Sequence, residues 1–394
     1  MNLHAAAVYA MHLLTARSTA GHGVHSPFMF SFITEVIGGG SDRAVMKEVE
    51  SLRREMLSDR RLVRVRDLGA GSAVMSGAER RIRDIAATAA VPKREAALLA
   101  RIAGSLENIK EGGSGAGYRP GKQAGFGQQA GKITATDPIP AEAPDPGQQP
   151  GADPAHDHQP VILELGTSLG ISTLAMALGA PQRRVLSVEG CPELADMARD
   201  NLRRHGAHNA EVICMEFGEA LNELKRRGTR VALAYIDGNH RGAALTEYVH
   251  RIREMGEEMI IVADDIHMNG DMTGAWRSLT AQVPEQPDAA ASDTVACTQK
   301  PGPGPSAGHL HPEPGTDPSA GHQHPERGTD PSAGHLHQER GADPSAGHLH
   351  PELGTITIAH SGREIIAPAS LETFRMGMLF YREKLTPGRY RVLY

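Results

Sequence analysis

Between Val161 and Asp264, short apolar runs alternate with longer stretches in which apolar residues recur every three or four positions. The runs are "VILEL", "RVLSVE", "AEVICM", "VALAYID" and "MIIVAD"; between them lie stretches such as "CPELADMARDNLRRHG" and "RGAALTEYVHRIREMG". Short continuous strands separated by amphipathic helices predict an α/β fold whose parallel sheet is covered on both faces. Upstream, "AVMKEVESLRREMLSD" and "REAALLARIAGSL" carry apolar residues at helical spacing, so residues 1–106 read as an N-terminal helical cap. Downstream, "TFRMGMLFYREKL" and "GRYRVLY" are strand-like runs joined by "TPG". They predict an antiparallel hairpin that closes a Rossmann-like, doubly wound sheet of seven strands, five of them parallel.

Two stretches break this pattern. Residues 107–159 are rich in Gly, Pro and Gln without a sustained period, and residues 284–353 carry four copies of a 13-residue repeat, "SAGHLHPEPGTDP" and its variants. Neither holds enough apolar area to offset its ordering entropy, so both read as disordered insertions in surface loops. Residues 160–283 are then the core, and residues 354–394 the strands that complete its sheet.

Composition narrows the function. Three cysteines (Cys191, Cys214, Cys297) without paired spacing give neither a disulfide framework nor a zinc knuckle, which points to a reducing, cytoplasmic setting. The opening "MNLHAAAVYAMHLL" lacks the basic flank of a secretory signal, and no later run reaches the ~18 apolar residues of a membrane span. A formal charge of -6 on 394 residues is mild and argues against a dedicated nucleic-acid binder. A small-molecule partner is expected, and a homodimer is compatible with the sequence.

Two glycine-rich turns compete to hold a cofactor: "VRVRDLGAGSAV" from Val63 and "VILELGTSLGIST" from Val161. In a doubly wound sheet the first turn and the end of the second strand meet at the ligand. After the second turn come a helix and a strand ending in Glu189, 25 residues past Glu164 and suited to accept from ribose hydroxyls. After the first turn comes "AERRIRDIAATAA", with no second strand ending in an acid. Gly166 and Gly170 let the later turn approach a ligand, while Ser168 replaces the middle glycine of the fuller pattern. No GKS or GKT follows, and Glu164 would repel a pyrophosphate, so the turn suits the cationic amino-acid end of a cofactor.

At these residues the chain resembles the class I S-adenosylmethionine-dependent methyltransferases. Within them it is similar to a bacterial subfamily through "HGVHSPFMF", "DLGAGS", "ELGTSLGIS", "YIDGNHR", "ADDIHMNGDMTGAW" and "TFRMGMLFYR". The resemblance implies S-adenosyl-L-methionine as cofactor and methyl transfer to an oxygen, or a nitrogen, of a small acceptor. It places Glu164, Gly166, Thr167 and Gly170 around the methionine part, Glu189 on the ribose, and Gly218, Glu219 and Ala220 near the adenine. The plainer alternatives are an acid-capped turn for the first group and helix capping and packing for the last.

Asp237 ends the fourth strand, and His240 three residues on is the candidate general base, with His267 competing; both also read as solvated loop histidines. By resemblance to catechol-type O-methyltransferases, Asp237, Asp264 and Asp265 are candidate ligands for Mg2+, although an Asp-Asp pair stands where those enzymes carry Asp-Asn. Three carboxylates at adjacent strand ends repel one another unless a cation or proton intervenes; substrate contact and helix capping are the alternatives. In "HGVHSPFMF", Pro27 biases Ser26 to an extended conformation, so the segment reads as a loop. Its His22, His25 and Phe28 either cover the acceptor pocket, or Phe28, Phe30 and Phe32 pack on the core. The repeats present four HxH pairs (His309 and His311, His322 and His324, His335 and His337, His348 and His350) able to bind Zn, Ni or Cu. They support an alternative, a non-catalytic cofactor-binding or metal-responsive protein. A hydroxylase or other metal enzyme on the same scaffold is a third reading.

Overall fold

The computed structural model describes residues 3–65, 79–108, 159–281, 283–284 and 369–394. These belong to a compact unit formed by residues 1–292 and 365–394. The "DLGAGS" turn, nearly all of the Gly/Pro/Gln-rich stretch and the four HxH pairs lie outside the described residues. The chain begins with α1 (Leu3–Thr15), α2 (Pro27–Ser31), a π-helical turn (Phe32–Ile37) and α3 (Arg43–Ser58). A small antiparallel pair, β1 (Leu62–Arg64) and β2 (Glu79–Arg81), follows, then α4 (Ile82–Thr88) and α5 (Lys93–Asn108).

The core alternates as its apolar pattern predicts: β3 (Val161–Leu165), α6 (Ile171–Gly179), β4 (Val185–Glu189), α7 (Pro192–Arg204), β5 (Ala210–Cys214), α8 (Phe217–Arg226), β6 (Val231–Ile236), α9 (Gly242–Arg253), β7 (Met259–Ala263) and α10 (Gly270–Thr280). Three strands complete the sheet: β8 (Ala369–Glu372), β9 (Gly377–Tyr381) and β10 (Arg389–Arg391). The spatial order is β10-β8-β9-β7-β6-β3-β4-β5, with β5, β4, β3, β6 and β7 mutually parallel. This is a Rossmann-like arrangement whose order reverses between β3 and β6.

The C-terminal hairpin differs from the expectation, and so does the strand count, which is eight rather than seven. The hairpin joins β8 to β9, not β9 to β10; β10 pairs parallel with β8 on its outer side. Residues 382–388 are a crossing segment rather than a tight turn, and they deliver Gly388, whose carbonyl accepts from the Ser370 N–H at 2.9 Å. The short "ASLE" of β8 adjoins the repeat region and has too few apolar residues to stand out as a strand.

The apolar residues form one core on each face of the sheet. One gathers α3, α5 and α6; the other gathers α8, α9 and α10. Helix α5 belongs to the first layer rather than to a separate cap, because its backbone touches that of α6. A Cβ on Gly179 would lie 2.4 Å from the Ala100 carbonyl, and one on Gly104 would lie 2.8 Å from the Gly179 carbonyl. The "HSPF" segment is likewise built into this layer. Ser26 caps α2, accepting from the Met29 N–H at 3.4 Å, and Pro27 opens the helix, so the predicted loop ends at Ser26. Phe28 and Phe32 pack on Phe380 at centroid distances of 5.9 and 4.8 Å. Phe380 pairs with Ile260, about 10 Å along β7 from Ala263 at the strand's carboxyl end. Phe28 and Phe32 thus pack on the core as one reading expects, whereas Phe30 is exposed, as are His22 and His25.

Candidate active site

The crevice of an open α/β sheet lies outside the carboxyl ends of the strands at the point of reversal, which here means β3, β4 and β6. The turn after β3 is forced to be glycine-rich by its neighbour. Gly166 has φ 111°, and a Cβ there would sit 2.3 Å from the Asp237 carbonyl at the end of β6. Gly170, at φ 81°, opens α6 in the left-handed region. Ser168 adopts φ 49°, a strained conformation held because its N–H donates to Glu189 Oε2 at 2.8 Å. Glu189 Oε1 accepts from the Cys191 N–H at 2.9 Å. These two bonds orient the Glu189 carboxylate.

Glu164, one strand over, is fully buried. The hydroxyls of Thr173 and Ser187 both donate to its Oε2 at 2.5 Å, while Oε1 has no hydrogen-bond partner. Burial raises its pKa to about 7, with the nearby hydroxyls of Ser172, Ser187 and Thr173 opposing the rise. A buried acceptor without a donor is costly, and an incoming cationic group would remove that cost. Thr167 is a strut rather than a free contact, its hydroxyl 2.5 Å from that of Ser187.

The three residues expected near an adenine separate in the structure. Gly218 and Glu219 form the first turn of α8, where Glu216 accepts from the Glu219 N–H at 3.0 Å. Ala220 is packed in the core, so its side chain serves the fold. The aromatic at this corner is Phe217, which the sequence reading passed over although it directly follows the turn after β5. A Cβ on Gly238 would lie 2.5 Å from its ring, and the ring meets Tyr248 edge to face at 5.9 Å.

At the ends of β6 and β7, Asp237, Asp264 and Asp265 come together as expected, but they are not arranged around an open centre. Arg375, from the β8–β9 turn, clamps Asp264: Nε lies 2.8 and 3.1 Å from the two carboxylate oxygens and Nη2 lies 2.6 Å from Oδ2. Nη2 also lies 3.4 Å from Asp265. The Tyr235 hydroxyl sits 3.0 Å from Asp237 Oδ2 and 3.2 Å from Asp264 Oδ2. Burial, then the charges of Asp264 and Asp265, push Asp237 well above the ordinary carboxylate range against the pull of Arg375. Asp265 is raised by burial and by Asp264. Burial and the neighbouring acids also raise Tyr235, which keeps it a phenol and hence a donor.

Among the described residues no three His, Cys, Asp or Glu side chains converge as metal ligands. A planar fork of guanidinium donors instead engages both oxygens of Asp264.

The two candidate histidines part company. His240 stays at the crevice, 27% exposed, with Nε2 3.9 Å from Asp237 Oδ1. His267 turns away into a buried nest, Nδ1 3.4 Å from the Thr273 hydroxyl and Nε2 3.6 Å from Glu372. Burial would raise Glu372, but hydrogen bonds from His267 and Arg391 hold it at about 2, and Trp276 Nε1 donates to it at 2.9 Å. Sequence reasoning missed Tyr235 and Arg375. Tyr235 was legible in principle, since residues two apart on a strand share a face; Arg375 had no local signal.

A reversed parallel sheet with a glycine turn, a terminal acid on the second strand and an acid on the fourth is the place where open α/β sheets bind their ligands. Residues 163–266 match the family model described as a methyltransferase domain. The catechol O-methyltransferase of Mycobacterium tuberculosis is 36% identical over 113 residues, 28% of this chain and 49% of that protein. The release factor glutamine methyltransferase of Vibrio cholerae is 35% identical over 83 residues, 20% of this chain and 28% of that protein. The chain thus spans about half or less of these two relatives. An O-methyltransferase from Bacillus cereus, solved in complex with SAH, is 24% identical with a TM-score of 0.28, covering 32% of this chain and 63% of that one.

Proposed function

We propose that the protein is an S-adenosylmethionine-dependent methyltransferase that methylates an oxygen of a small molecule. The observation that carries the reading is the arrangement of Glu164 and Glu189 around the Gly166–Gly170 turn, within a segment matched as a methyltransferase domain. Glu164 offers an unpaired buried oxygen to the ammonium of the cofactor's methionine part. Glu189, oriented by two backbone amides at the end of the second strand, is the acceptor for the ribose hydroxyls. Gly218, Glu219 and the Phe217 ring form the adenine end. S-Adenosylmethionine, when bound, supplies an electrophilic methyl group on a sulfonium.

The residues at β6 and β7 prepare the acceptor. An alcohol or phenol reacts well only once its proton is removed. His240 takes that proton, its Nε2 lying 3.9 Å from Asp237 Oδ1 at the end of β6. Oxygen is favoured over nitrogen because the longer of the two matches is to a catechol O-methyltransferase. The test is transfer of labelled methyl from S-adenosylmethionine to a panel of catechols, phenols and small amines. Labelled ethers are expected; labelled amines alone would overturn the choice of oxygen.

A further inference from the structure

The geometry points to Arg375 as a built-in substitute for the divalent cation in this carboxylate cluster, resting on the methyltransferase reading only for what its free nitrogen does. Asp264 has no exposed side-chain surface, and a carboxylate removed from water requires a cation or full hydrogen bonding. Arg375 supplies both. Its three short contacts close a two-pronged pair with Asp264, and its Nη2 reaches Asp265.

The guanidinium is also held in place from behind. In the turn that carries it, Thr373 and Met376 exchange hydrogen bonds of 2.9 Å between backbones and 3.0 Å through the Thr373 hydroxyl. The Arg375 carbonyl itself accepts from the Ile266 N–H at 3.2 Å, tying this turn to the loop that carries Asp264 and Asp265. A divalent cation coordinates carboxylate oxygen at roughly 2.0–2.6 Å, so its sphere and the guanidinium exclude each other. The other groups around the cluster are the Tyr235 phenol, His240, and Glu95 from α5, whose charge reaches Asp265. None of them brings a second positive charge that is permanent.

One consequence is chemical. Arg375 Nη1 makes no hydrogen bond to any described residue, and the side chain keeps 30% of its exposure. That nitrogen is the donor for an acceptor oxygen that becomes negative as His240 takes its proton. A guanidinium stays charged at every working pH and cannot be removed by a chelator.

The test uses the full chain and Mg2+, which the imidazoles of the repeats bind poorly. Thermal unfolding is followed with EDTA and with millimolar Mg2+, for the wild type, Arg375→Ala, Arg375→Lys and the double variant Arg375→Ala/Asp264→Asn. The wild type and Arg375→Lys should melt identically in both conditions. In Arg375→Ala, Mg2+ should raise the Tm by about 2–4 °C, the size expected for a ligand present several-fold above its Kd, and the double variant should lose the shift. A Mg2+ shift in the wild type that disappears in Asp264→Asn would overturn the proposal, and that arm is decisive even if Arg375→Ala does not fold. A chain blind to Mg2+ but unable to bind S-adenosylmethionine would instead sink the methyltransferase reading and leave this inference standing.

Discussion

Two groups of acids stand at the carboxyl ends of the same sheet, and they are held in opposite ways. Glu164 and Glu189, at β3 and β4, are oriented by neutral donors: the hydroxyls of Thr173 and Ser187 and the amides of Ser168 and Cys191. Asp264 and Asp265, beyond β7, are held by a permanent cation, Arg375, with the Tyr235 phenol bridging Asp264 to Asp237. Neutral donors position a carboxylate while leaving its charge to be met by something else. A guanidinium meets the charge on the spot. On the proposed reading the first group receives a cationic cofactor, whereas the second already holds its cation.

The sharpest way to break the comparison is to remove the acid that the cation serves. Asp264→Ala leaves Arg375 half-buried without its carboxylate and should cost about 3–5 kcal/mol of stability, read by denaturant unfolding. Replacing both, as Asp264→Ala/Arg375→Met, should cost clearly less. Equal losses would mean that the pair is not a coupled unit. Next in size is His240→Ala. As the candidate base it should lower kcat by roughly 10²–10⁴-fold while cofactor affinity, measured by titration, stays unchanged; unaltered turnover would remove it from the mechanism. On the other side of the crevice, Glu189→Ala frees the Ser168 and Cys191 amides and takes away the ribose acceptor. A loss of about 1.4 kcal/mol or more, a tenfold weaker Kd, is expected, and wild-type affinity would refute the assignment.

The smallest effect is pH-linked. Glu164 has a folded-state value of about 7 against an ordinary 4.5. Its protonated form is the one the apo fold prefers, so its contribution to stability is complete below 4.5 and is lost as pH rises through about 7. Glu164→Gln, which cannot ionise, should therefore melt a few degrees above the wild type on the alkaline side of that window and gain nothing on the acidic side. A gain of the same size at both ends would show that ionisation of Glu164 is not the source.

Legibility in the sequence follows the same division. The five parallel strands and the glycine turn were readable because period, length and turn chemistry are local. Glu189 and Asp237 were readable because an apolar run that stops at an acid marks a strand end. The hairpin was placed one strand too late because β8 has only four residues and pairs through register rather than pattern. Arg375 was invisible. It stands 111 residues from Asp264, and nothing in "TFRMGM" distinguishes it from a solvated arginine. Only the sheet order, which brings β9 beside β7, makes it the cluster's cation. His267 shows the converse: two residues after Asp265 it was a reasonable rival for the base, and the turn after β7 aims it at Glu372 instead.

Every role proposed for these residues depends on S-adenosylmethionine binding at the β3–β4 end. Calorimetric titration of the folded chain with S-adenosylmethionine, on either side of the Glu164 value of about 7, tests it directly. Binding at micromolar strength that tightens as pH rises through that value is the predicted result, because the ionised carboxylate is the form that meets the ammonium. Absence of binding at both pH values, by protein shown to be folded, would contradict it.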